Sequence, residues 1–303
     1  MIQRIIAQTV PFFPKKIVWL FSKKYIAGEN LEDALKTIGK LHKINITSTI
    51  DVLGESIASH EQALNCQLLY LQTIEEIRKA KLHSTFSLKP TMFGLLWDED
   101  FCYTCIRKIV MTAQQSNFFV RIDMEDSQCT SKEILLYEKL YMEFPANVGI
   151  VFQACLKRTY SDLHYLKSFA KKENGLNVRL CKGIYRETPD IAFLKKQEIR
   201  GNFLQCLEFM LENKIFAAIA THDSYLISKS IQLLKLYDKT RADYEFQMLL
   251  GVRPKLRTHL VNEGHSMRVY VPYGIQWFQY SARRLQENPH MVWDILTGIF
   301  NTK

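Results

Sequence analysis

The chain has 303 residues, of which 47% are hydrophobic and 12% aromatic, and it carries a formal net charge of +9. This length and apolar content predict a sizeable buried core and fit one α/β barrel without a second domain. The positive charge suits an anionic substrate or an anionic membrane face. The basic residues are dispersed, with no basic tail and no zinc-finger spacing, which argues against a nucleic-acid partner.

The seven cysteines are spread along the chain, a distribution that favours free thiols in a reducing compartment. Cys102 and Cys105 form a lone C-x-x-C, which we interpret as neighbours on one helix face, and no metal site is expected. Prolines and lysine pairs interrupt the apolar patches of residues 1–30, so we expect no transmembrane helix.

Apolar runs and helical periodicities alternate along most of the chain. After a helix at residues 31–41, strands are predicted at 45–53, 83–88, 118–122, 148–152, 176–183, 216–220, 244–250 and 267–271. Helices are predicted between them, at about 58–80, 100–115, 131–141, 193–213 and 224–237. The helix at 58–80 is expected to bury residues at core spacing, namely Leu64, Leu68, Leu71 and Ile74.

Strands separated by helices are the pattern of a (β/α)8 barrel. A doubly wound sheet alternates in the same way, but no G-x-G-x-x-G follows the first strand, so that fold loses its main support. We therefore expect an α/β chain of one domain. Residues 1–44 would form an N-terminal helical region, and residues 45–303 a distorted (β/α)8 TIM-like barrel with a C-terminal helix.

Several predicted strands end in a polar or charged residue, and the strand ends of such a barrel meet at one rim. Lys89 and Asp123 close neighbouring strands, so we expect an ion pair between them beneath a substrate. A purely structural salt bridge is the alternative.

Residues 268–288 predict a strand, a turn at Gly274 and a helix. On that helix Tyr280 shares a face with Arg284, while Arg283 and Glu287 lie four residues apart and can pair. Two adjacent arginines beside aromatic residues favour an anionic ligand, since a guanidinium fork matches a carboxylate. A solvated helix face is the alternative.

Two distinctive motifs, Y-V-P-Y-G from Tyr270 and W-x-x-Y-x-x-R-R-x-x-E-N from Trp277, lie close together. Others are Y-I-A-G-E-N from Tyr25, D-V-L-G-E from Asp51 and R-L-C-K-G-I-Y from Arg179. These motifs resemble those of the proline dehydrogenases, flavoenzymes that oxidise L-proline to 1-pyrroline-5-carboxylate. The matches span nearly the whole chain, so it is similar to the monofunctional, bacterial-type, FAD-dependent members.

The resemblance implies roles for individual residues. Lys89, Asp123 and Arg179 would be catalytic, with Arg179 at the reactive edge of the flavin, where a cation stabilises negative charge. The residues implied to contact FAD are Asp123, Gln153, Arg179, Lys182, Gly183, Tyr185, Thr221, His222 and Gln247.

The substrate site is implied in the same way. Arg283 and Arg284 would hold the proline carboxylate, and Glu287 would orient Arg283. Tyr270 and Tyr280 would wall the pyrrolidine ring. Lys89 is implied to line the same pocket.

The resemblance also implies the overall reaction, which is hydride transfer from proline to noncovalently bound FAD in the first step of proline catabolism. Electrons would then pass to a membrane quinone. We accordingly expect a cytoplasmic protein that associates peripherally with the inner face of the cytoplasmic membrane. The apolar segment 291–300 would make that contact, or would instead pack onto the barrel.

Two other functions remain open at this point. A Schiff-base, class I aldolase-like barrel enzyme would use a reactive lysine at a strand end, either Lys89 or Lys182. A nonenzymatic membrane-binding module would account for the aromatic termini and the net charge, but it leaves the charged strand ends unexplained.

Overall fold

Eight parallel strands form a closed barrel in the order of the sequence, with the last strand paired to the first. The computed structural model describes residues 15–54, 57–170 and 175–287, without the side chains of 16, 17, 20, 21 and 283–287. The strands are β1 (Thr47–Val52), β2 (Ser84–Leu88), β3 (Phe119–Ile122), β4 (Val148–Gln153), β5 (Asn177–Cys181), β6 (Phe216–Ala220), β7 (Tyr244–Leu249) and β8 (Met267–Tyr273). The predicted (β/α)8 barrel and all eight predicted strands are confirmed.

Helices precede, alternate with and follow the strands. They are α1 (Lys15–Ser22), α2 (Leu31–His42), α3 (His60–Lys79), α4 (Glu99–Gln115), α5 (Thr130–Glu143), α6 (Thr159–Phe169), α7 (Lys196–Glu212), α8 (Ser224–Leu236), α9 (Pro254–Asn262) and α10 (Trp277–Glu287). A short 3₁₀ helix, Pro90–Phe93, follows β2. Side-chain N-caps begin several helices; for example, Asn30 accepts from Asp33 N and Asp98 accepts from Phe101 N.

The strands carry apolar side chains on one face and polar side chains on the other. The outward face packs against the helices and is fully buried; it includes Ile50, Phe86, Val120, Ile150, Val178, Ile219, Phe246 and Val269. The inward face includes Thr49, Thr85, Arg121, Arg179, Glu245, Gln247 and Arg268. Burial of the outward face drives folding, so the side chains inside the barrel can be polar and charged.

Arg121 of β3 occupies the interior beside β4 and β5. Its guanidinium donates to Asn177 O at 2.8 Å and to Asn177 Oδ1 at 2.6 Å, and it lies over the Phe119 ring. A Cβ at Gly149 would lie 2.6 Å from Arg121 Nη1, so the guanidinium has room in the interior only because residue 149 has no side chain. Burial, together with the charge of Arg179, lowers the pKa of Arg121 to about 9, and it stays protonated at neutral pH.

The predicted inward face of α3 is partly wrong. Leu64 and Leu68 are exposed, at 44% and 52%, while Tyr70 and Thr73 are fully buried beside Ile74. The two hydroxyl-bearing residues can face inward because each finds a partner there. Tyr70 OH donates to Ser87 O at 2.7 Å, and the Thr73 hydroxyl lies 2.6 Å from that of Tyr273.

A second, smaller apolar cluster lies beside the β1–β8 end of the barrel. It joins α1 to α10 and contains Val18, Ile26, Leu53, Trp277, Tyr280 and Ala282. Trp277 packs edge-on against Trp19 at 4.7 Å, and its indole Nε1 donates to Glu29 Oε1 at 2.6 Å. The helix after β8 is thereby held against the segment before β1.

None of the helices that the structure describes is long and apolar enough to cross a membrane. None of the seven cysteines, all of which the structure describes, forms a disulfide. Cys102 and Cys105 are buried on the same helix, as the sequence indicated.

The buried Tyr70 hydroxyl yields a stability prediction. It joins α3 to two strands, because it also accepts from Val52 N at 3.3 Å. Tyr70→Phe leaves both backbone groups without this partner, so we expect a loss of about 1–3 kcal/mol in the free energy of unfolding, measured by urea denaturation.

The matched control is Tyr165→Phe, which removes a hydroxyl from a side chain that is 50% exposed. It should leave the denaturation midpoint unchanged. Equal midpoints for Tyr70→Phe and the unmodified protein would show that the hydroxyl does not hold α3 to the barrel.

Candidate active site

Asp123, directly after β3, is the centre of the polar network at the carboxyl-end mouth of the barrel. Its Oδ1 accepts from Arg179 NH1 at 2.9 Å and from Ser87 Oγ at 2.9 Å, and its Oδ2 accepts from Tyr270 OH at 3.0 Å. These donors come from β5, β2 and β8. One carboxylate therefore ties together four strands.

Arg179 is 6% exposed and is held from several sides. Its NH1 also donates to Ser87 Oγ at 3.0 Å, and its Nε donates to Gln247 Oε1 at 2.6 Å. Its guanidinium lies 5.4 Å from the centre of the Tyr270 ring. The cation is thus fixed in place at the inner end of the mouth.

Lys89 pairs with Asp51, and the expected Lys89–Asp123 ion pair is wrong. Lys89 Nζ lies 2.7 and 2.8 Å from the two carboxylate oxygens of Asp51 at the end of β1. Asp123 takes Arg179 instead, because the arginine reaches across the interior from β5. Burial acts to lower the pKa of Lys89, but the charges of Asp51 and Asp123 outweigh it and raise that pKa, so Lys89 is protonated.

Tyr270 and Tyr280 lie on the same side of the mouth. Burial and the charges of Asp123 and Asp51 raise the pKa of Tyr270 well above its ordinary value, with a smaller contribution from Tyr280. Tyr270 therefore remains a neutral hydrogen-bond donor across the physiological pH range. Tyr280 is 8% exposed in the cluster between α1 and α10.

A basic cluster lies at the ends of β5 and β6. Asp223 accepts from Arg200 at 2.6 and 3.0 Å and lies 3.6 Å from Lys182 Nζ. Arg200 also lies over the Tyr225 ring, at 4.6 Å. Partial burial acts to raise the pKa of Asp223, but the hydrogen bond from Arg200 and the charge of Lys182 lower it to about 2.

Other residues predicted for the site lie along the same rim. His222 Nε2 accepts from Leu249 N at 3.0 Å, which holds its ring against β7, and Thr221 Oγ1 accepts from Asp223 N. Gln153 is 3% exposed and donates to Glu125 O at 2.6 Å. Gly183 and Tyr185 lie in the loop after β5.

Glu125, Cys129 and Glu133 are the three-residue group within the described ranges whose ligand atoms lie close enough to hold a metal ion. Both oxygens of Glu125 accept from Thr91, and Glu133 Oε1 accepts from Glu125 N at 3.0 Å. Burial and the charge of Glu125 raise the pKa of Glu133 well above its ordinary value. These hydrogen bonds attach the loop after Lys89 to α5.

The remaining predicted substrate residues are Arg283, Arg284 and Glu287. The structure gives them a helical backbone in α10, and their side chains lie outside the described residues. Their roles therefore stay predictions.

Comparison with known proteins gives the family. The family model described as "Proline dehydrogenase" matches residues 34–292. The chain belongs to the proline dehydrogenase family. It is 35% identical over 280 residues to proline dehydrogenase 1 of Bacillus subtilis strain 168, covering 92% of this chain and 91% of that protein. It is 37% identical over 268 residues to proline dehydrogenase 2 of the same strain, with coverages of 88% and 86%.

A solved structure has a similar fold. It is proline utilization A (PutA) from Bdellovibrio bacteriovorus inactivated by N-propargylglycine, with a TM-score of 0.84 and 26% identity. The match covers 91% of this chain and 33% of that one, so the chain spans about a third of the PutA protein. The barrel is thus shared with a much longer protein.

Three residues in the network were not assigned a role from the sequence. Asp51 and Ser87 each lie one residue inside the end of their strand, and Arg200 lies on α7, so none of the three follows a strand end as Asp123 does.

The Lys89–Asp51 pair yields a prediction for the stability of the barrel. Its side chains are 19% and 0% exposed. Asp51→Asn strands a buried ammonium, so we expect a loss of about 3–5 kcal/mol in the free energy of unfolding, measured by denaturation in guanidinium chloride.

The double variant Asp51→Asn with Lys89→Met removes both charges and should recover at least half of that loss. Glu32→Gln breaks an exposed Lys36–Glu32 pair and serves as the control without measurable effect. A double variant as unstable as Asp51→Asn alone would contradict the interpretation of a charge pair.

Proposed function

We propose that this protein oxidises L-proline to 1-pyrroline-5-carboxylate with bound FAD, as the first step of proline catabolism. The observation that carries the proposal is the buried Arg179, held by Asp123 and Gln247 at the mouth of a barrel whose sequence belongs to the proline dehydrogenase family. Tyr270, which contacts both Arg179 and Asp123, and Lys89, whose pKa the charge of Asp123 helps to raise, are proposed to lie on the substrate side.

Two features support a flavin dinucleotide at this mouth. Lys182 and Arg200 supply positive charge near the ends of β5 and β6, which suits an anionic pyrophosphate. Gly183 has φ +93°, and a Cβ there would meet Cys155 Sγ and lie 2.9 Å from Gln153 Oε1, so the loop after β5 lies flat against β4. The residues that would hold FAD are Gln153, Arg179, Lys182, Gly183, Tyr185, Thr221, His222 and Gln247, with Asp123 beneath them.

FAD supplies the acceptor for the two electrons that leave proline. The role proposed for Arg179 is electrostatic, because a fixed guanidinium stabilises negative charge that develops beside it. Asp123 and Gln247 hold that guanidinium before substrate arrives, so little reorganisation is needed during the reaction.

Proline must lose the proton on its ring nitrogen before it is oxidised. Asp51 and Asp123 are already paired with Lys89 and Arg179, so neither carboxylate is left to stabilise a charged ring nitrogen, and the neutral amine is favoured as its proton passes to water. Arg283 and Arg284 are proposed to hold the carboxylate, with Glu287 orienting Arg283. Tyr270 and Tyr280 are proposed to wall the ring.

We place the electron acceptor among the membrane quinones, with the protein at the inner face of the cytoplasmic membrane. The net charge of +9 suits an anionic lipid surface. The segment 291–300, expected to contact the membrane, lies outside the described residues.

The Schiff-base alternative loses support at Lys89. A nucleophilic lysine needs a lowered pKa, because only the neutral amine attacks a carbonyl. The Asp51 and Asp123 carboxylates raise the pKa of Lys89 instead. Lys182 Nζ lies 3.6 Å from Asp223 Oδ2 and forms an ion pair with that carboxylate.

The proposed reaction predicts a visible spectrum. The purified protein should be yellow, and anaerobic L-proline should bleach the flavin absorbance, which a short-chain quinone should then restore. N-propargylglycine, which inactivated the Bdellovibrio bacteriovorus PutA, should also inactivate this protein. A colourless protein that is trapped by borohydride with a carbonyl substrate would instead support the Schiff-base enzyme.

The proposed carboxylate clamp predicts that geometry matters beyond charge. Arg283→Lys and Arg284→Lys keep the charge but lose the fork. One lost charged hydrogen bond of about 1.5–3 kcal/mol lowers kcat/KM roughly 10- to 150-fold, measured as proline oxidation with a dye acceptor.

Each variant is compared at full FAD content, with Arg78→Lys on the outer helix α3 as the matched control. Arg78 is exposed and pairs with Glu75, so its replacement should leave kcat/KM unchanged. Unchanged kcat/KM in both clamp variants would contradict the carboxylate clamp and indicate that Arg283 and Arg284 lie on a solvated face of α10.

A further inference from the structure

A row of polar side chains crosses the barrel interior from β5 to β8. Arg179 Nε donates to Gln247 Oε1 at 2.6 Å, and Gln247 Nε2 donates to Glu245 Oε1 at 2.6 Å. Arg268 Nε donates to the same Glu245 oxygen at 2.7 Å, and its NH1 donates to Ser48 O at 2.8 Å. The row therefore links Arg179, the cation predicted to face the flavin, to the backbone of β1 at Ser48.

The chemistry of the end groups sets the direction of the amide between them. A guanidinium only donates hydrogen bonds, and an ionised carboxylate only accepts them. Gln247 must therefore turn its oxygen to Arg179 and its nitrogen to Glu245. In the reverse orientation the amide nitrogen would face the donor Arg179 and the amide oxygen would face the acceptor Glu245, so neither hydrogen bond could form.

Glu245 is equipped to stay ionised although it is 6% exposed. Burial acts to raise its pKa, but the charge and hydrogen bond of Arg268 and the hydrogen bond from Gln247 outweigh it and lower the pKa. Glu245 lies on the opposite side of Gln247 from Arg179, and among the described contacts it makes none with Arg179 itself.

We infer that Glu245 is a positioning residue for Arg179 and acts through Gln247. It imposes the amide direction that keeps an acceptor on Arg179 Nε, while Asp123 and Ser87 hold the opposite side of the guanidinium. The inference depends on the proposed function, because it assigns Arg179 to the flavin. Glu245 also balances the charge of Arg268, whose Nε lies 2.7 Å from its Oε1, so the experiment has to separate positioning from this structural role.

The test is a double-mutant cycle on FAD-loaded protein, with Glu245→Gln, Gln247→Met and the pair combined. Arg268 would keep the oxygen of an amide at 245 turned toward Gln247, but a neutral oxygen accepts a weaker hydrogen bond than a carboxylate, so the direction of the Gln247 amide is less strongly imposed. Glu245→Gln should slow flavin reduction by proline about threefold to tenfold and lower the midpoint potential of the bound flavin, because the cation is less firmly held.

The cycle separates positioning from a general structural role. With Gln247→Met already present, adding Glu245→Gln should change the reduction rate less than about twofold, because the amide through which Glu245 acts is gone. Asp162→Asn is the matched control, since it removes a largely buried carboxylate from an arginine pair on the outer helix α6. It should leave the rate and the potential unchanged.

An equal loss of flavin reduction rate on adding Glu245→Gln with and without Gln247→Met would overturn the inference. An unchanged reduction rate and midpoint potential in the Glu245→Gln single variant would overturn it as well. Should Glu245→Gln fail to fold, Glu245→Met with Arg268→Met removes acceptor and counter-charge together and enters the same cycle. A parent protein without flavin, or one that proline does not bleach, would contradict the proposed function and not the role of Glu245.

Discussion

The ion pair between Asp123 and Arg179 is the interaction on which the rest of the site depends. Arg179 leaves β5 and crosses the barrel to a carboxylate that follows β3. A buried charge is costly unless it is paired and hydrogen-bonded, so both groups recruit further partners, Ser87 and Gln247 among them. The strands can carry these charges inward because their outward faces supply the apolar burial.

The mouth of the barrel is divided into two chemical zones by this pair. On one side the Lys89–Asp51 pair forms a neutralised group at the ends of β1 and β2, and Tyr270 of β8, which donates to Asp123, lies near it. On the other side Lys182 and Arg200 share a single carboxylate near β5 and β6. The division suits the proposed pair of ligands, a small zwitterion and a dinucleotide with two phosphates.

Much of the architecture was predictable because each strand is a short apolar run between helical periodicities. The inward face of α3 was not, because Tyr70 and Thr73 are buried by virtue of partners that only the folded chain supplies, and the leucines at 64 and 68 were left outside. The same limit applies to ion pairs. The strand ends showed that Lys89 and Asp123 lie on the same rim. Which residue each one pairs with depends on the side chains that extend across the barrel interior, such as Arg179, and the spacing of residues in the sequence does not give this.

The lack of a side chain at Gly149 limits which substitutions the barrel interior can accept. A Cβ at position 149 would lie 2.6 Å from Arg121 Nη1 and 2.6 Å from Asn177 O, so the glycine is required for room and not for backbone conformation. A smaller residue at 121 would remove the first clash but not the second, because Asn177 O belongs to the backbone of β5. Glycine should therefore be retained at 149 even in a chain where position 121 has become smaller.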